Sequence, residues 1–382
     1  MYKEHIVIIG AGIVGLSTAF ALLQQGMENV TVLEQCTVGH ERSASHGMSR
    51  LLRFEYGADQ FYSEMVRLSL QRWRQLEQMT QRSLYTSTGV LVLGNDKDDF
   101  AKTSYDTLLD LGCPPEPLSR QACQQRFPQF ALMDYDFCTY NEEGGILHAS
   151  YCLQTLKDAI RELGGMLLEH QQVTQIDREN TLKPIQLSLT SGYKLNADRL
   201  VLAIGPWIHH LLADLHLPIR LTRQYLLYFD NLPISTFGLS AFPAFMAGEL
   251  YGFPIFGPAE YPHSRWFKVA SHTFGMDVDP DGARYVAPHI ICKVMYDLFR
   301  LVPAIQQAKL VHVDSCIYDV SPDEHFILDT LPDDPRVVFA TGLSGHGFKF
   351  GPLWGEMLSS LLYQCSPPVD MEHFRLKRFH QT

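Results

Sequence analysis

A strand, a glycine turn, a helix and a second strand, all within residues 5 to 34, constrain this chain more than anything that follows. His5-Ile6-Val7-Ile8-Ile9 is a near-continuous apolar run of strand length, and Gly10-Ala11-Gly12-Ile13-Val14-Gly15 follows it at once. Leu16 to Leu23 favours helix, Gly26 ends it, and Val30-Thr31-Val32-Leu33 is a second buried strand with Glu34 at its C-terminal end. Each part has a physical job in holding a dinucleotide. Gly10 permits the tight turn, Gly12 lets backbone N–H groups approach a pyrophosphate at the helix N-terminus, Gly15 lets helix and strand pack closely, and Glu34 accepts hydrogen bonds from a ribose. A bare glycine motif also occurs as an ordinary turn, but here strand, helix, second strand and acid stand at the expected distances. The spacing admits FAD or NAD, because Glu34 suits the unphosphorylated ribose of either.

At 382 residues the chain is too long for one ordinary core, and a second domain is expected. Residues 59 to 81 read as an amphipathic helix, 84 to 94 as a β-hairpin or bent strand around Gly89, and 98 to 111 and 118 to 126 as helices. A helix over 149 to 163 leads into a strand from Met166 to Ile176 and another from Lys194 to Ala203, where a second glycine turn begins the segment Gly205-Pro206-Trp207. Residues 219 to 275 read as antiparallel sheet, 279 to 301 as helix, Val311 to Tyr318 and Val337 to Ala340 as strands, and Gly351 to Tyr363 as a last helix. The expected architecture is α/β (α+β overall). A discontinuous cofactor domain of residues 1–83, 144–218 and 311–382 is interrupted by a substrate domain of 84–143 and 219–310.

The net charge of −11 argues against a nucleic-acid backbone as partner. No apolar run reaches the roughly 18 residues of a membrane span, and the first strand begins too close to Met1 for a signal peptide ahead of it. Eight cysteines (Cys36, Cys113, Cys123, Cys138, Cys152, Cys292, Cys316 and Cys365) are scattered without CxxC pairing. That pattern suits reduced thiols in a cytoplasmic protein better than a disulfide frame or a metal site.

Five strings, in order, carry a resemblance over nearly the whole length. They are Gly10-Ala11-Gly12-Ile13-Val14-Gly15, Ser45-His46-Gly47-Met48-Ser49-Arg50, Tyr251-Gly252-Phe253-Pro254, Ser315-Cys316-Ile317-Tyr318 with Asp323-Glu324-His325-Phe326, and Ser344-Gly345-His346-Gly347-Phe348-Lys349. In these the chain resembles the monomeric sarcosine oxidase group of amine-oxidising flavoproteins, which includes N-methyltryptophan oxidase and L-pipecolate oxidase. The resemblance implies a Rossmann-like FAD-binding domain with an inserted antiparallel-sheet substrate domain. It makes FAD the dinucleotide, with His46, Gly345, His346 and Gly347 joining Gly10, Gly12, Gly15 and Glu34 around it.

Read alone, Cys316 is a small core residue, Arg50 and Arg53 are loop charges, and Lys268 is a solvated charge on a strand edge. The resemblance implies other roles. Cys316 carries a thioether to the flavin, Arg53 with Lys349 holds a substrate carboxylate, and Arg50 lies over the flavin ring. Lys268 activates O₂ through a fixed positive charge, His272 and Tyr318 line the amine site, and Tyr251 stands near its mouth, where packing alone also accounts for an aromatic. Ser43-Ala44 stands in place of Gly-Ser, where a hydroxyl would contact the cofactor, and two further departures touch the substrate neighbourhood: Met48 where an Asp is common, and a shorter Phe245 to Tyr251 segment.

The expected activity is oxidation of a secondary α-amino acid, sarcosine or another N-methyl amino acid, to an imine and H₂O₂ by a monomer that needs no metal. L-pipecolate oxidation is an alternative, as is a dehydrogenase that uses an electron carrier instead of O₂. A regulatory nucleotide-binding protein without turnover would be expected to lack Arg53, Lys268 or Lys349, and all three are present.

Overall fold

The computed structural model describes residues 3–95, 99–179, 181–256, 265–284 and 286–379. Its first sheet has six strands, ordered Ile327–Leu331, Asp334–Thr341, Arg199–Leu202, Ile6–Ile9, Val30–Leu33 and Met166–Leu168. All neighbours pair parallel except Ile327–Leu331, an antiparallel edge. The central strands Ile6–Ile9 and Val30–Leu33 are buried along their whole length because both faces are covered. Ile6 and Ile8 face a core shared with the helices Ile13–Gln24, Gln60–Thr80, Ala149–Glu162 and Gly351–Tyr363, while Val7 and Ile9 face a second core under the antiparallel strands Val173–Asp177, Ile185–Leu189 and Lys194–Ala197. The helices Ile13–Gln24 and Gly351–Tyr363 cross closely at Gly355, where a Cβ would stand 2.2 Å from the Ser17 carbonyl oxygen.

A second sheet of eight strands is ordered Lys309–Val320, Arg220–Asp230, Phe267–Ser271, Leu250–Phe253, Ala244–Ala247, Val90–Gly94, Phe137–Asn141 and Glu116–Leu118. It is antiparallel except for the Ala244–Ala247 and Val90–Gly94 pair. Its core is rich in phenylalanine and is closed by the helix Pro288–Leu301. A small third sheet joins Arg50–Leu52, Gly145–Leu147 and Tyr85–Thr86.

Several elements differ from the sequence reading. The 84 to 94 stretch is no hairpin: Tyr85–Thr86 and Val90–Gly94 lie in different sheets, and Gly89, at φ +66°, turns the chain between them. The expected strand from Met166 to Ile176 is split, with His170 at φ +61° between its halves. The helix expected from 279 begins at Pro288, where proline suits the first helical position, and the loop before it is held by Asp281, which accepts from Arg42 and Trp207. The strand expected over 311 to 318 runs from Lys309 to Val320 and pairs with Arg220–Asp230 in the eight-stranded sheet, not in the six-stranded one. Part of the 219 to 275 stretch, residues 257–264, lies outside the described residues.

Candidate active site

The C-terminal ends of the parallel strands open into a cleft lined by Ile9, Gly10, Gly12, Leu33, Glu34 and Ala203, the usual place for a ligand on such a sheet. The residues fit a dinucleotide. Gly10, at φ +99°, passes so close to the next strand that a Cβ would stand 2.3 Å from the Ala203 carbonyl oxygen, and a Cβ on Gly15 would stand 1.9 Å from that of Gly10. The turn therefore presents backbone, without side chains, to the cleft. Glu34 accepts hydrogen bonds from the N–H groups of Ala11, at 2.8 Å, and Cys36, at 2.9 Å, and so ties the two turns together with its carboxylate in the cleft. Ser45, which the sequence reading did not single out, places its hydroxyl 3.0 Å from the Ile13 N–H at the helix N-terminus. A hydroxyl thus reaches this end of the cleft even though residue 44 is alanine.

The strand Lys309–Val320 gives Asp319 to this cleft and Cys316 and Tyr318 to a second cavity. Lining that second cavity with them are Arg50, Arg53, Tyr251, Lys268, His272, Gly345, His346 and Lys349, so residues spread over 300 positions of sequence meet in one place. Four of them are cations, and none of the described lining residues is Asp or Glu.

At one end are Arg50 and Lys268. Arg50 donates to the carbonyls of Ser49, Ala44 and His46, and its guanidinium lies 5.3 Å from the Phe348 ring centroid. Lys268 is 3% exposed on the central strand Phe267–Ser271, with its ammonium 3.0 Å from the Ser49 carbonyl and 4.8 Å from the Phe253 ring centroid. Burial, reinforced by Arg50, lowers its pKa to about 7. It is not the solvated edge charge that its position alone suggests. Cys316 stands between these cations and the tyrosines, opposite Gln224 in the strand pair. Burial raises its thiol pKa, and Arg50 and Lys268 oppose the rise.

The other end holds Arg53 and Lys349, 7% and 4% exposed. Nη1 of Arg53 is buried without a hydrogen-bond partner among the described residues, as a guanidinium waiting for an anion would be. Lys349 donates to the Tyr56 hydroxyl at 2.7 Å and to the His346 carbonyl at 3.2 Å. Burial and then Arg53 hold its pKa well below the ordinary lysine value. His272 follows the Lys268 strand with its Nδ1 buried and unpartnered. Burial, Arg53 and Lys349 lower its pKa to about 4, so it is neutral at neutral pH. Tyr251 and Tyr318 bring their hydroxyls to 3.4 Å, and burial raises both phenol pKa values, that of Tyr251 to about 12.

The glycines of 344 to 349 act by allowing contact. Gly345, at φ +77°, lies against the Tyr318 ring, where a Cβ would come within 2.1 Å, and Gly347 packs on Leu343. His346 lines the cavity, but its ring nitrogens meet the Tyr56 hydroxyl and the Glu324 carbonyl, and burial keeps it neutral. His46 lies outside both cavities, its ring between the Gly39 carbonyl and Asp314. Ser49 and Tyr56, which anchor the two lysines, were missed because each acts on a partner far away in sequence. For Tyr56 a signal existed, an aromatic three residues after Arg53.

The family description "DAO: FAD dependent oxidoreductase" matches residues 5–361. Human "Peroxisomal sarcosine oxidase" is 32% identical over 98% of this chain and 95% of its own length. "Monomeric sarcosine oxidase" of Bacillus sp. and "N-methyl-L-tryptophan oxidase" of Yersinia pestis are each 28% identical over 98% of this chain, covering 95% and 99% of the relative. Among solved structures, L-proline dehydrogenase from P. horikoshii superposes with a TM-score of 0.85 at 20% identity, covering 99% of this chain and 98% of that one, which supports the fold alone.

Proposed function

This chain belongs to the FAD-dependent oxidoreductase family, and from that premise we propose that it is an oxidase of secondary α-amino acids, with sarcosine or another N-methyl amino acid as the substrate class. The observation that carries this reading is the cavity lined by four cations, three of them buried (Arg53, Lys268 and Lys349), with no described carboxylate lining it. Burying like charges is costly unless an anion joins them. A substrate carboxylate on Arg53 and Lys349 meets that need, with the unpartnered Nη1 as one donor.

The same cations act on the amine. A substrate ammonium brought among Arg50, Arg53, Lys268 and Lys349 in a low-dielectric site loses its proton more readily, so the field favours the free amine that oxidation requires. Neutral His272, with Nδ1 unpartnered, can share a hydrogen bond with that amine, and Tyr251 and Tyr318 wall the same space. Gly10, Gly12, Glu34 and the helix N-terminus would hold FAD, which would supply the acceptor for a hydride equivalent from the carbon next to nitrogen. Lys268 is suited to stabilise negative charge developing on O₂ as it is reduced to H₂O₂. Cys316 is the proposed point of covalent attachment, which its position between Arg50, Lys268 and Tyr318 supports.

We also propose a cytoplasmic monomer. All eight cysteines are free, and relatives named monomeric sarcosine oxidase support the single chain. No described helix is long and apolar enough to cross a membrane. The test of function is an H₂O₂-release screen over sarcosine, N-methyl amino acids, L-pipecolate and L-proline. Peroxide from N-methyl amino acids is the expected result. Peroxide mainly from L-pipecolate would move the substrate class to cyclic amino acids, and flavin reduction without peroxide would point to an electron carrier.

A further inference from the structure

We propose that Tyr56 is the positioning residue of the carboxylate clamp, its ring supporting Arg53 and its hydroxyl holding Lys349, so that one side chain sets the spacing of the two cations. The inference rests on the reading of Arg53 and Lys349 as the carboxylate site.

The Arg53 guanidinium carbon lies 4.4 Å from the Tyr56 ring centroid, and the Lys349 ammonium lies 5.0 Å from the same centroid. Two buried cations repel each other, and the negative face of one ring is attractive to both. Glu55, the carboxylate next to Tyr56 in sequence, is taken up by the Asn141 amide at 3.2 Å and the Phe54 N–H at 3.0 Å. The ring itself is fixed by stacking on Tyr62 at 5.1 Å.

The direction of each hydrogen bond follows from the inventory of donors. An ammonium only donates, so the Tyr56 oxygen accepts from Lys349 at 2.7 Å and sends its own proton to Nδ1 of His346 at 3.1 Å. Nε2 then carries the ring proton and donates to the Glu324 carbonyl at 3.2 Å. Every group in the series Lys349, Tyr56, His346, Glu324 has one role, and reversing any link would leave two donors or two acceptors face to face. The neutral state of His346, kept by burial, agrees with this order. The clamp is therefore tied through Tyr56 to His346 of the glycine loop and, beyond it, to the Glu324 carbonyl.

The charged and titratable groups facing Lys349 are Arg53 and Glu55 from the segment after Arg50–Leu52, Tyr56 from the same segment, His272 after Phe267–Ser271, and His346 of its own loop. The helix Gln60–Thr80 adds only neutral donors, Ser69 and Trp73, to the Lys349 carbonyl. The Tyr56 hydroxyl stabilises the charged form of Lys349, so its loss lowers that pKa further. Carboxylate binding that needs the ammonium then fails at a lower pH.

The experiment measures propionate binding to the purified holoprotein by calorimetry between pH 6 and 10. Tyr56→Phe keeps the ring under Arg53 and removes the hydroxyl. Binding should weaken about tenfold, the order for one hydrogen bond to a charged group, and its alkaline limb should move to lower pH. Tyr56→Leu should weaken binding further, because Arg53 also loses its support; if that variant fails to fold, the Phe variant decides. Binding by Tyr56→Phe that equals the unmutated protein, or that weakens without a shift of the limb, overturns the proposal. Arg53→Ala and Lys349→Ala serve as controls. If neither weakens propionate binding, the carboxylate site and the role of Tyr56 both fall. If both weaken it while Tyr56→Phe behaves normally, only the role of Tyr56 falls.

Discussion

An ammonium buried to 3% exposure on a carbonyl and a hydroxyl, as that of Lys268 is, lowers the stability of the protein around it unless negative charge comes near. Its pKa of about 7 means that the charge is held weakly, and a neighbouring anion raises the value again. Lys268 is thus most fully charged when electrons reach its surroundings. Lys268→Met should slow reoxidation of the reduced enzyme by O₂ on the order of a hundredfold or more and leave anaerobic reduction by substrate far less affected. Stopped-flow measurement of the two half-reactions decides, and equal losses in both would give Lys268 a different role. At this scale the sequence brought Arg50, Cys316 and Lys349 to notice as members of motifs and Arg53 by its place three residues after Arg50, and the structure puts all four in one cavity. The contacts of Ser45, Ser49 and Tyr56 could not be read, because the helix end or ammonium that each one meets comes from a distant part of the chain, although the spacing of Tyr56 from Arg53 was a signal that it mattered.

Among the elements, the glycine turn leaves least room for change. The helix Ile13–Gln24 approaches its own strand so closely that a methyl group on Gly15 would overlap the Gly10 carbonyl oxygen at 1.9 Å. Backbone lies on both sides of that contact, so the helix must lift away from the sheet. Gly15→Ala should give protein that is colourless or retains little flavin, with a lowered thermal midpoint. Absorbance in the visible and a melting curve test this, and a yellow protein with an unchanged midpoint would mean that the turn can relax. This unit was legible because all its parts are local. So was the helix Gln60–Thr80, whose apolar stripe starts after Asp59, an N-cap accepting from the Tyr62 N–H. The strand Lys309–Val320 was seen but its partner was not, since an apolar strand reads the same whichever sheet receives it. The late start of Pro288–Leu301 coincides with Pro288 at the first helical position, a local signal that the reading from 279 passed over.

Taken whole, the molecule sets its dinucleotide turn on the six-stranded sheet and Cys316 on an edge of the eight-stranded one. A flavin bound at the first and bonded to the second would staple the two sheets together. Cys316→Ala should release free flavin on acid denaturation, whereas the unmutated protein should keep a fluorescent band on a denaturing gel. The melting temperature of the variant should also come to depend on added FAD, as it does for any ligand held only by mass action. Free flavin from the unmutated protein would remove the covalent bond from this account. The order of the strands also bears on how such a protein is made. Ile6–Ile9 lies between Val30–Leu33 and Arg199–Leu202, so the strand that covers its second flank follows it by some two hundred residues of chain. Cys316 and Lys349 emerge from the ribosome later still. A flavin bonded to Cys316 would therefore be captured only after most of the chain has been made, and a cell short of FAD would then accumulate finished but immature chains instead of stalled ones.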